Sequence, residues 1–267
     1  MTEKLMEIRD VTQRFRSAER EVVAVSRVSI QVDAGSVTCL VGESGSGKTT
    51  LARIAAGLDK PTAGSIHYRG QDISQLRGPD FMRFRQEVQY VHQDPYASLN
   101  PTRTVLSTVL SALGARRNRT RRRATELLER VELTPADLFL ERYPHQLSGG
   151  QRQRVALARA LATEPALIIA DETTSMLDAS IRGSMINLLS ELRDDLGVGF
   201  LFITHDFTLA RHFAWRGRTA VLYLGELVEY GPTPEVMDAP KHAYTKALID
   251  ALPMIRFDDA DVPDGAP

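Results

Sequence analysis

A glycine-rich segment, GESGSGKT, at residues 42–49 sets the strongest limit on the fold of this chain. It directly follows the apolar run VTCLV, and the residues after it carry apolar side chains at helical spacing, so we predict a strand, a loop and a helix. The segment has the pattern GxxxxGK[ST], in which backbone N–H groups hold phosphates, the lysine reaches the β and γ phosphates, and the last hydroxyl can bind magnesium. We therefore predict a phosphate-binding loop at a helix N-terminus, which by itself indicates nucleotide binding and nothing narrower.

Other strands and helices alternate in the way a mostly parallel sheet requires. The runs ALIIA and FLFIT are short and apolar, and the segment between them places leucine and isoleucine on one helical face before Gly197. Short β-favouring runs at residues 5–8 and 22–32 open the chain. The predicted fold class is α/β, with a mostly parallel sheet at its centre.

The domain organisation follows from where this alternation is interrupted. Helical spacing at about residues 96–160 predicts an inserted helical subdomain, and residues 218–252 read as two strands around a glycine turn followed by two short helices. We expect one domain over residues 1–252 and a flexible acidic tail at 253–267.

Two acids end the apolar run ALIIA. Asp171 is placed at the carboxyl edge of the predicted parallel sheet, where it can bind magnesium together with Thr49. Glu172, one residue on, points elsewhere and can polarise an attacking water molecule. A buried strand that ends in two carboxylates is costly unless they have a function or a partner.

A second candidate anion site lies at LSGGQ, residues 147–151, just before an apolar helix. Its spacing to the acid pair, together with the phosphate loop, resembles the ATP-binding-cassette (ABC) family, the ATPase subunits that drive membrane transport. The resemblance extends over about residues 5–252 and implies a P-loop NTPase core with an N-terminal antiparallel β-subdomain and an inserted helical subdomain. It departs from the family at DETTSMLD, where Thr173 replaces the common proline and Met176 replaces alanine.

The resemblance assigns further roles residue by residue. Gln93 is expected to contact magnesium and water, His205 to contact the γ-phosphate, and Phe15 to stack on adenine, although Phe15 equally fits a core position. The implied nucleotide contacts are Gly42, Ser44, Gly45, Ser46, Gly47, Lys48, Thr49 and Thr50, with Ser148, Gly149, Gly150, Gln151 and Asp178. ATP with Mg2+ is the expected substrate complex, and stacking leaves GTP open.

The same family pattern implies that two cassettes share each nucleotide. One chain has a single phosphate loop, so the family arrangement is a head-to-tail dimer in which each ATP lies between one chain's loop and the other chain's Ser148 region. Asp178 matches the segment that links the two sites. Whether the second ATPase chain is another copy or a related partner stays open.

The segments HQDPYASLNP and YLGELVEYGPTPEVMDAPKHAYTKALIDALP resemble the ATPase subunits of bacterial oligopeptide, dipeptide and nickel importers. This implies permease subunits as partners and, indirectly, an extracytoplasmic solute-binding protein that selects the cargo. Only one cysteine, Cys39, is present, so we expect no iron–sulfur cluster, and its apolar neighbours place it in the core. The alternatives are an ABC exporter ATPase and a soluble ABC protein outside transport.

Charge and hydropathy limit the possible partners. Lys and Arg total 33 against 34 Asp and Glu, which disfavours nucleic-acid binding, and the cluster RRNRTRRR at residues 116–123 lacks interleaved aromatics and fits a solvated helix start. No apolar run is long enough to span a bilayer, and the first residues lack a secretory signal. We expect a peripheral protein at the cytoplasmic face of the membrane.

Overall fold

A computed structural model describes residues 3–16, 21–94, 98–113, 120–174 and 178–251. Its centre is a ten-stranded sheet. The strands are β1 Lys4–Arg16, β2 Glu21–Asp33, β3 Val37–Val41, β4 Ala63–Tyr68, β5 Gln71–Asp72, β6 Val88–Val91, β7 Leu167–Asp171, β8 Gly199–Thr204, β9 Arg218–Tyr223 and β10 Glu226–Pro232. Their order in the sheet is β5-β4-β1-β2-β10-β9-β3-β8-β7-β6.

Half of this sheet is parallel. Strands β9, β3, β8, β7 and β6 pair in parallel, and β3, β7 and β8 are buried along their whole length. Continuous apolar runs suit such strands because helices cover both faces of a parallel sheet. The carboxyl ends of β3, β6, β7 and β8 therefore meet along one edge, where the sequence predicts the site.

The other half is antiparallel. Strands β1, β2, β4 and β5 pair in antiparallel register, with β1 between β2 and β4. Strand β10 joins the two halves, since it pairs with β9 in antiparallel and with β2 in parallel register. The predicted antiparallel N-terminal β-subdomain is confirmed, and it includes β4 and β5, which were not predicted from the sequence.

The helices lie on both faces of the sheet. They are α1 Lys48–Ala55, α2 Gly78–Glu87, α3 Val105–Ala112, α4 Arg121–Arg130, α5 Asp137–Leu140, α6 Gly149–Leu161, α7 Ala179–Leu196, α8 Phe207–Ala214, α9 Thr233–Asp238 and α10 Ala243–Asp250. One apolar cluster contains Cys39 with residues of α3, α4 and α6 to α8, and the other contains Leu40 with residues of α1 and the antiparallel strands. Alternate residues of β3 thus pack on opposite faces of the sheet.

Several local predictions are confirmed. Helix α7 ends at Gly197, whose φ of 66° provides the left-handed stop, and β9 and β10 form the predicted hairpin. Cys39 is fully buried, and burial raises the pKa of its thiol. Helices α3 to α6 fall in the described part of the predicted helical region, while the domain boundaries stay a prediction.

Some sequence features fall outside the described residues. These include Met176, residues 252–267 and part of the arginine cluster. Arg121, which starts α4, forms ion pairs with Glu141 and Asp137 at 2.6 and 3.4 Å. No helix within the described ranges combines the length and apolarity needed to cross a bilayer.

Candidate nucleotide-binding site

The phosphate loop runs from the end of β3 to the start of α1, and its glycines allow close backbone contacts. Gly42 and Gly47 have φ values of 150° and 101°. A Cβ atom on Gly42 would lie 2.2 Å from the Leu222 carbonyl oxygen, and one on Gly47 would lie 2.2 Å from the Ala24 carbonyl oxygen. Any other residue would therefore push the loop away from β9 or β2.

The start of α1 is suited to an anion. Gly47 precedes it in the left-handed conformation, and no side chain caps its N-terminal N–H groups. The Ser46 hydroxyl oxygen is buried and has no hydrogen-bond partner within the described part of the chain. These unsatisfied donors at a helix N-terminus fit a phosphate group.

Lys48 is buried beneath this loop. Its Nζ donates hydrogen bonds to the carbonyl oxygens of Gly42 and Glu43, at 2.8 and 2.7 Å. Burial lowers the pKa of Lys48, and the nearby carboxylates of Glu172 and Asp171 oppose that shift. The ammonium group is thus held against the loop that the sequence predicts to bind phosphate.

Asp171 and Thr49 form the predicted pair. The Thr49 hydroxyl donates to Oδ1 of Asp171 at 3.2 Å, and the Tyr90 hydroxyl donates to Oδ2 at 2.5 Å. Burial raises the pKa of the Asp171 carboxyl, and both hydrogen bonds act in the opposite direction. A carboxylate and a hydroxyl at the phosphate loop are hard oxygen ligands, so the pair fits Mg2+.

Glu172 lies at the centre of the remaining predicted residues. Its φ of 45° turns the chain after β7, so its side chain leaves in a different direction from Asp171. Gln93 Nε2 donates to Oε2 at 2.8 Å, while Lys48 Nζ and His205 Nδ1 lie 3.9 and 3.7 Å from Oε1. These groups surround one carboxylate that is largely shielded from solvent.

A cleft of about 540 Å³ joins these groups. Its lining residues are Gly42, Glu43, Ser44, Gln93, Glu172, His205, Phe207 and Leu248. The structure therefore brings the predicted phosphate loop, Gln93, Glu172 and His205 to one opening. Glu43, Phe207 and Leu248 were not identified from the sequence.

Phe15 lies outside this cleft, on β1. Its ring is 50% exposed, so the alternative core placement is wrong. It pairs with Val22 of β2, and two residues further along the same strand is Ala24, whose carbonyl oxygen would lie 2.2 Å from a Cβ atom on Gly47. An exposed ring near the phosphate loop is available for stacking.

The second predicted anion site is separate from the cleft. Ser148 caps the N-terminus of α6 and forms a reciprocal capping box with Gln151. Gly149 has open space beside it, and Asp178 precedes α7 as an exposed residue whose side chain does not cap that helix. Neither Ser148 nor Asp178 lines the cleft of the same chain.

Two further functional candidates, Tyr90 and Tyr244, are not among the predicted site residues. Tyr90 contacts Asp171 because β6 lies beside β7, and it stands three residues before Gln93, which is the only signal the sequence offers for it. Tyr244 lies in α10, within the C-terminal sequence that resembles the importer ATPases. Its hydroxyl accepts a hydrogen bond from the Glu43 N–H.

Comparisons with known proteins agree with this geometry. The family model described as ABC transporter matches residues 25–175, and the model described as oligopeptide/dipeptide transporter, C-terminal region, matches residues 228–265. The oligopeptide transport ATP-binding protein AppF of Bacillus subtilis (strain 168) is 42% identical, and the match covers 95% of this chain and 80% of AppF.

A longer relative and a solved structure extend the comparison. The glutathione import ATP-binding protein GsiA of Escherichia coli (strain K12) is 41% identical over 94% of this chain, which spans only 42% of GsiA. The dimeric post-hydrolysis structure of the ATP-binding cassette MJ0796, bound to ADP and Pi, aligns with a TM-score of 0.76 and 32% identity, covering 86% of this chain and 99% of that one. The chain belongs to the ABC transporter family.

Proposed function

We propose that this chain is the ATP-hydrolysing subunit of an ABC importer for peptides. The observation that carries the proposal is the position of Glu172, which accepts a hydrogen bond from Gln93 and lies beside Lys48 and His205 in the cleft at the phosphate loop. A carboxylate placed next to the phosphate-binding lysine can orient and deprotonate a water molecule for attack on the γ-phosphate.

Each group in the cleft has a role in this reaction. Lys48 and the N–H groups at the start of α1 bind the phosphates, Glu172 is the general base, and His205 contacts the γ-phosphate. Phe15 stacks on the adenine. Thr49, Asp171 and Gln93 would hold Mg2+, which neutralises charge on the phosphates when bound.

The working unit is a dimer of cassettes. Gly149 and Gly150, which follow the Ser148 cap, carry backbone N–H groups at the start of α6, away from the cleft of their own chain, so a second chain would supply them to this nucleotide. MJ0796, the related cassette, is dimeric in its ADP- and Pi-bound structure. ATP closes the pair, and loss of the γ-phosphate opens it.

The C-terminal segment favours peptide import over export. Residues 228–265 match the oligopeptide/dipeptide transporter C-terminal region, and AppF and GsiA are named for oligopeptide transport and glutathione import. Permease subunits would receive the motion of the dimer, and a solute-binding protein outside the membrane would select the peptide. The chain then acts peripherally at the cytoplasmic face.

Reconstitution tests the proposal. The chain is incorporated into proteoliposomes with candidate permease and binding-protein chains, and ATP hydrolysis and uptake of labelled glutathione or an oligopeptide are measured together. We expect the peptide-loaded binding protein to stimulate hydrolysis and uptake to require ATP. Hydrolysis without any response to peptide would retain the ATPase assignment and contradict peptide import. Transport in the outward direction would favour an exporter.

A further inference from the structure

The last described helix, α10, forms one wall of the nucleotide site. The Tyr244 hydroxyl, near the start of this helix, accepts a hydrogen bond of 3.2 Å from the backbone N–H of Glu43 in the phosphate loop. One turn later, Leu248 lines the cleft together with Glu43 and Ser44. Helix α10 thus contacts the start of the phosphate loop, although Tyr244 and Glu43 are 201 residues apart in sequence.

Tyr244 is itself held by rigid elements. The Glu229 carboxylate on β10 accepts hydrogen bonds from the N–H groups of Lys241 and His242, at 2.8 and 3.1 Å, which fixes the start of α10. The Tyr244 ring lies against the ring of Tyr223, at the end of β9, with centroids 4.1 Å apart. The hydroxyl is therefore placed by the sheet as well as by its own helix.

Glu43 connects Tyr244 to the phosphate-binding lysine. Its N–H donates to Tyr244, and its carbonyl oxygen accepts from Lys48 Nζ at 2.7 Å. A shift of this residue would move the carbonyl that Lys48 contacts. Elsewhere the loop is held by backbone contacts, including the bond of 3.1 Å from the Gly225 N–H to the Ser46 carbonyl. Tyr244 supplies a side-chain contact at the opposite end of the loop.

We propose that Tyr244 is a positioning residue for ATP binding, because its hydroxyl fixes the Glu43 N–H and with it the start of the phosphate loop. A loop that is ordered before the nucleotide arrives loses less conformational entropy on binding. The tyrosine lies in the segment that matches the oligopeptide/dipeptide transporter C-terminal region, outside the match to the ABC transporter model. The C-terminal segment is thus part of the nucleotide site rather than an appendage to it.

The test compares two tyrosine hydroxyls in the full-length chain. Tyr244→Phe removes the hydroxyl and keeps the ring pair, and Tyr223→Phe removes the hydroxyl of the facing ring, which makes no hydrogen bond to the loop among the described residues. Hydrogen–deuterium exchange of the peptide that contains the Glu43 amide reports the bond itself. Titration with a fluorescent ADP analogue reports affinity without hydrolysis.

We expect Tyr244→Phe to speed exchange in the loop and to weaken ADP binding by about two- to tenfold, the effect of one neutral hydrogen bond. Tyr223→Phe should leave both values at the wild-type level. Equal losses in both variants would assign the effect to the ring pair and overturn the role of the hydroxyl. A lower melting temperature for Tyr244→Phe with unchanged loop exchange and affinity would also overturn it, because the tyrosine would then serve stability alone. If the wild-type chain does not bind ADP, the proposed nucleotide site fails. That outcome is distinct from a failure of the Tyr244 role, which is judged by comparing the two variants with wild type.

Discussion

The Tyr90 hydroxyl donates a hydrogen bond of 2.5 Å to Oδ2 of Asp171, on the neighbouring strand of the parallel sheet. Thr49 donates to the other oxygen of the same carboxylate, so both oxygens of Asp171 are oriented by hydroxyl groups. The acid that would hold Mg2+ is therefore positioned from both sides. Tyr90 adds a side chain to this site that no sequence motif contains.

Tyr90→Phe should raise the Mg2+ requirement of the protein. Without the hydroxyl the Asp171 carboxylate loses a charge-assisted hydrogen bond, and we expect the Mg2+ concentration for half-maximal ATP hydrolysis to rise by about tenfold. The gain in nucleotide affinity that Mg2+ provides, measured by titration with and without the metal, should become smaller in parallel. Tyr68→Phe is the control, because Tyr68 donates a similar bond of 2.7 Å to Glu87 away from the cleft. An unchanged Mg2+ dependence in Tyr90→Phe would contradict the positioning role.

Much of the site could be predicted because its parts are local in sequence. Lys48 and Thr49 belong to one loop, and Asp171 and Glu172 follow one apolar strand, so residue type and spacing were enough to find them. Tyr90 and Tyr244 could not be found in this way, because their partners are 81 and 201 residues away and depend on the order of strands and the return of α10.

In the fold, too, elements with a clear local pattern were predicted and those that depend on distant partners were not. Strand β3 and helix α7 carry clear apolar patterns, whereas β4, β5 and β6 are short and mix polar with apolar residues, so they were not identified. Strand β6 is included in the sheet because it pairs with β7, an interaction that its own four residues do not indicate.

Lys48→Ala should weaken nucleotide binding by about ten- to a hundredfold, the range expected for loss of a charged hydrogen-bond donor to phosphate. Lys48 is buried at the phosphate loop. Equilibrium titration with an ADP analogue measures the change. Lys60→Ala, at an exposed position beyond α1, serves as the control. Equal affinities for wild type and Lys48→Ala would mean that the loop does not bind phosphate.

Glu172→Gln should bind ATP and fail to hydrolyse it. The amide keeps an oxygen that can accept from Gln93 and loses the base, so we expect the hydrolysis rate to fall by about 10²- to 10⁴-fold. Because the γ-phosphate then persists, light scattering in the presence of ATP should detect an accumulated dimer. Glu129→Gln, on the exposed side of α4, is the matched charge control. Normal turnover in Glu172→Gln would remove Glu172 as the base.

Thr173→Val should not destabilise the fold, and we expect it to raise the free energy of unfolding by about 1 kcal/mol. The Thr173 hydroxyl is buried and has no hydrogen-bond partner within the described ranges, so its removal relieves a desolvation cost. Thr38→Val is the comparison, because the buried Thr38 hydroxyl donates to the Gln31 carbonyl at 2.8 Å and its loss should cost about 1 kcal/mol. Urea unfolding of both variants measures the difference. A cost at Thr173 equal to that at Thr38 would reveal a hydrogen bond to that hydroxyl.

Mixing two inactive variants tests whether the nucleotide is shared between chains. Ser148→Arg places a bulky cation at the start of α6, away from the cleft of its own chain, so it should leave ADP binding intact and abolish hydrolysis by blocking the partner's nucleotide. Lys48→Ala disables the other half of the site. In a mixed dimer the normal loop of the Ser148→Arg chain faces the normal Ser148 of the Lys48→Ala chain, so one complete site forms and hydrolysis should partly recover. Ser148→Asn keeps a helix-capping side chain and controls for loss of the cap. If mixing restores no activity while both variants fold and the Ser148→Arg chain still binds ADP, the two half-sites do not combine across the dimer.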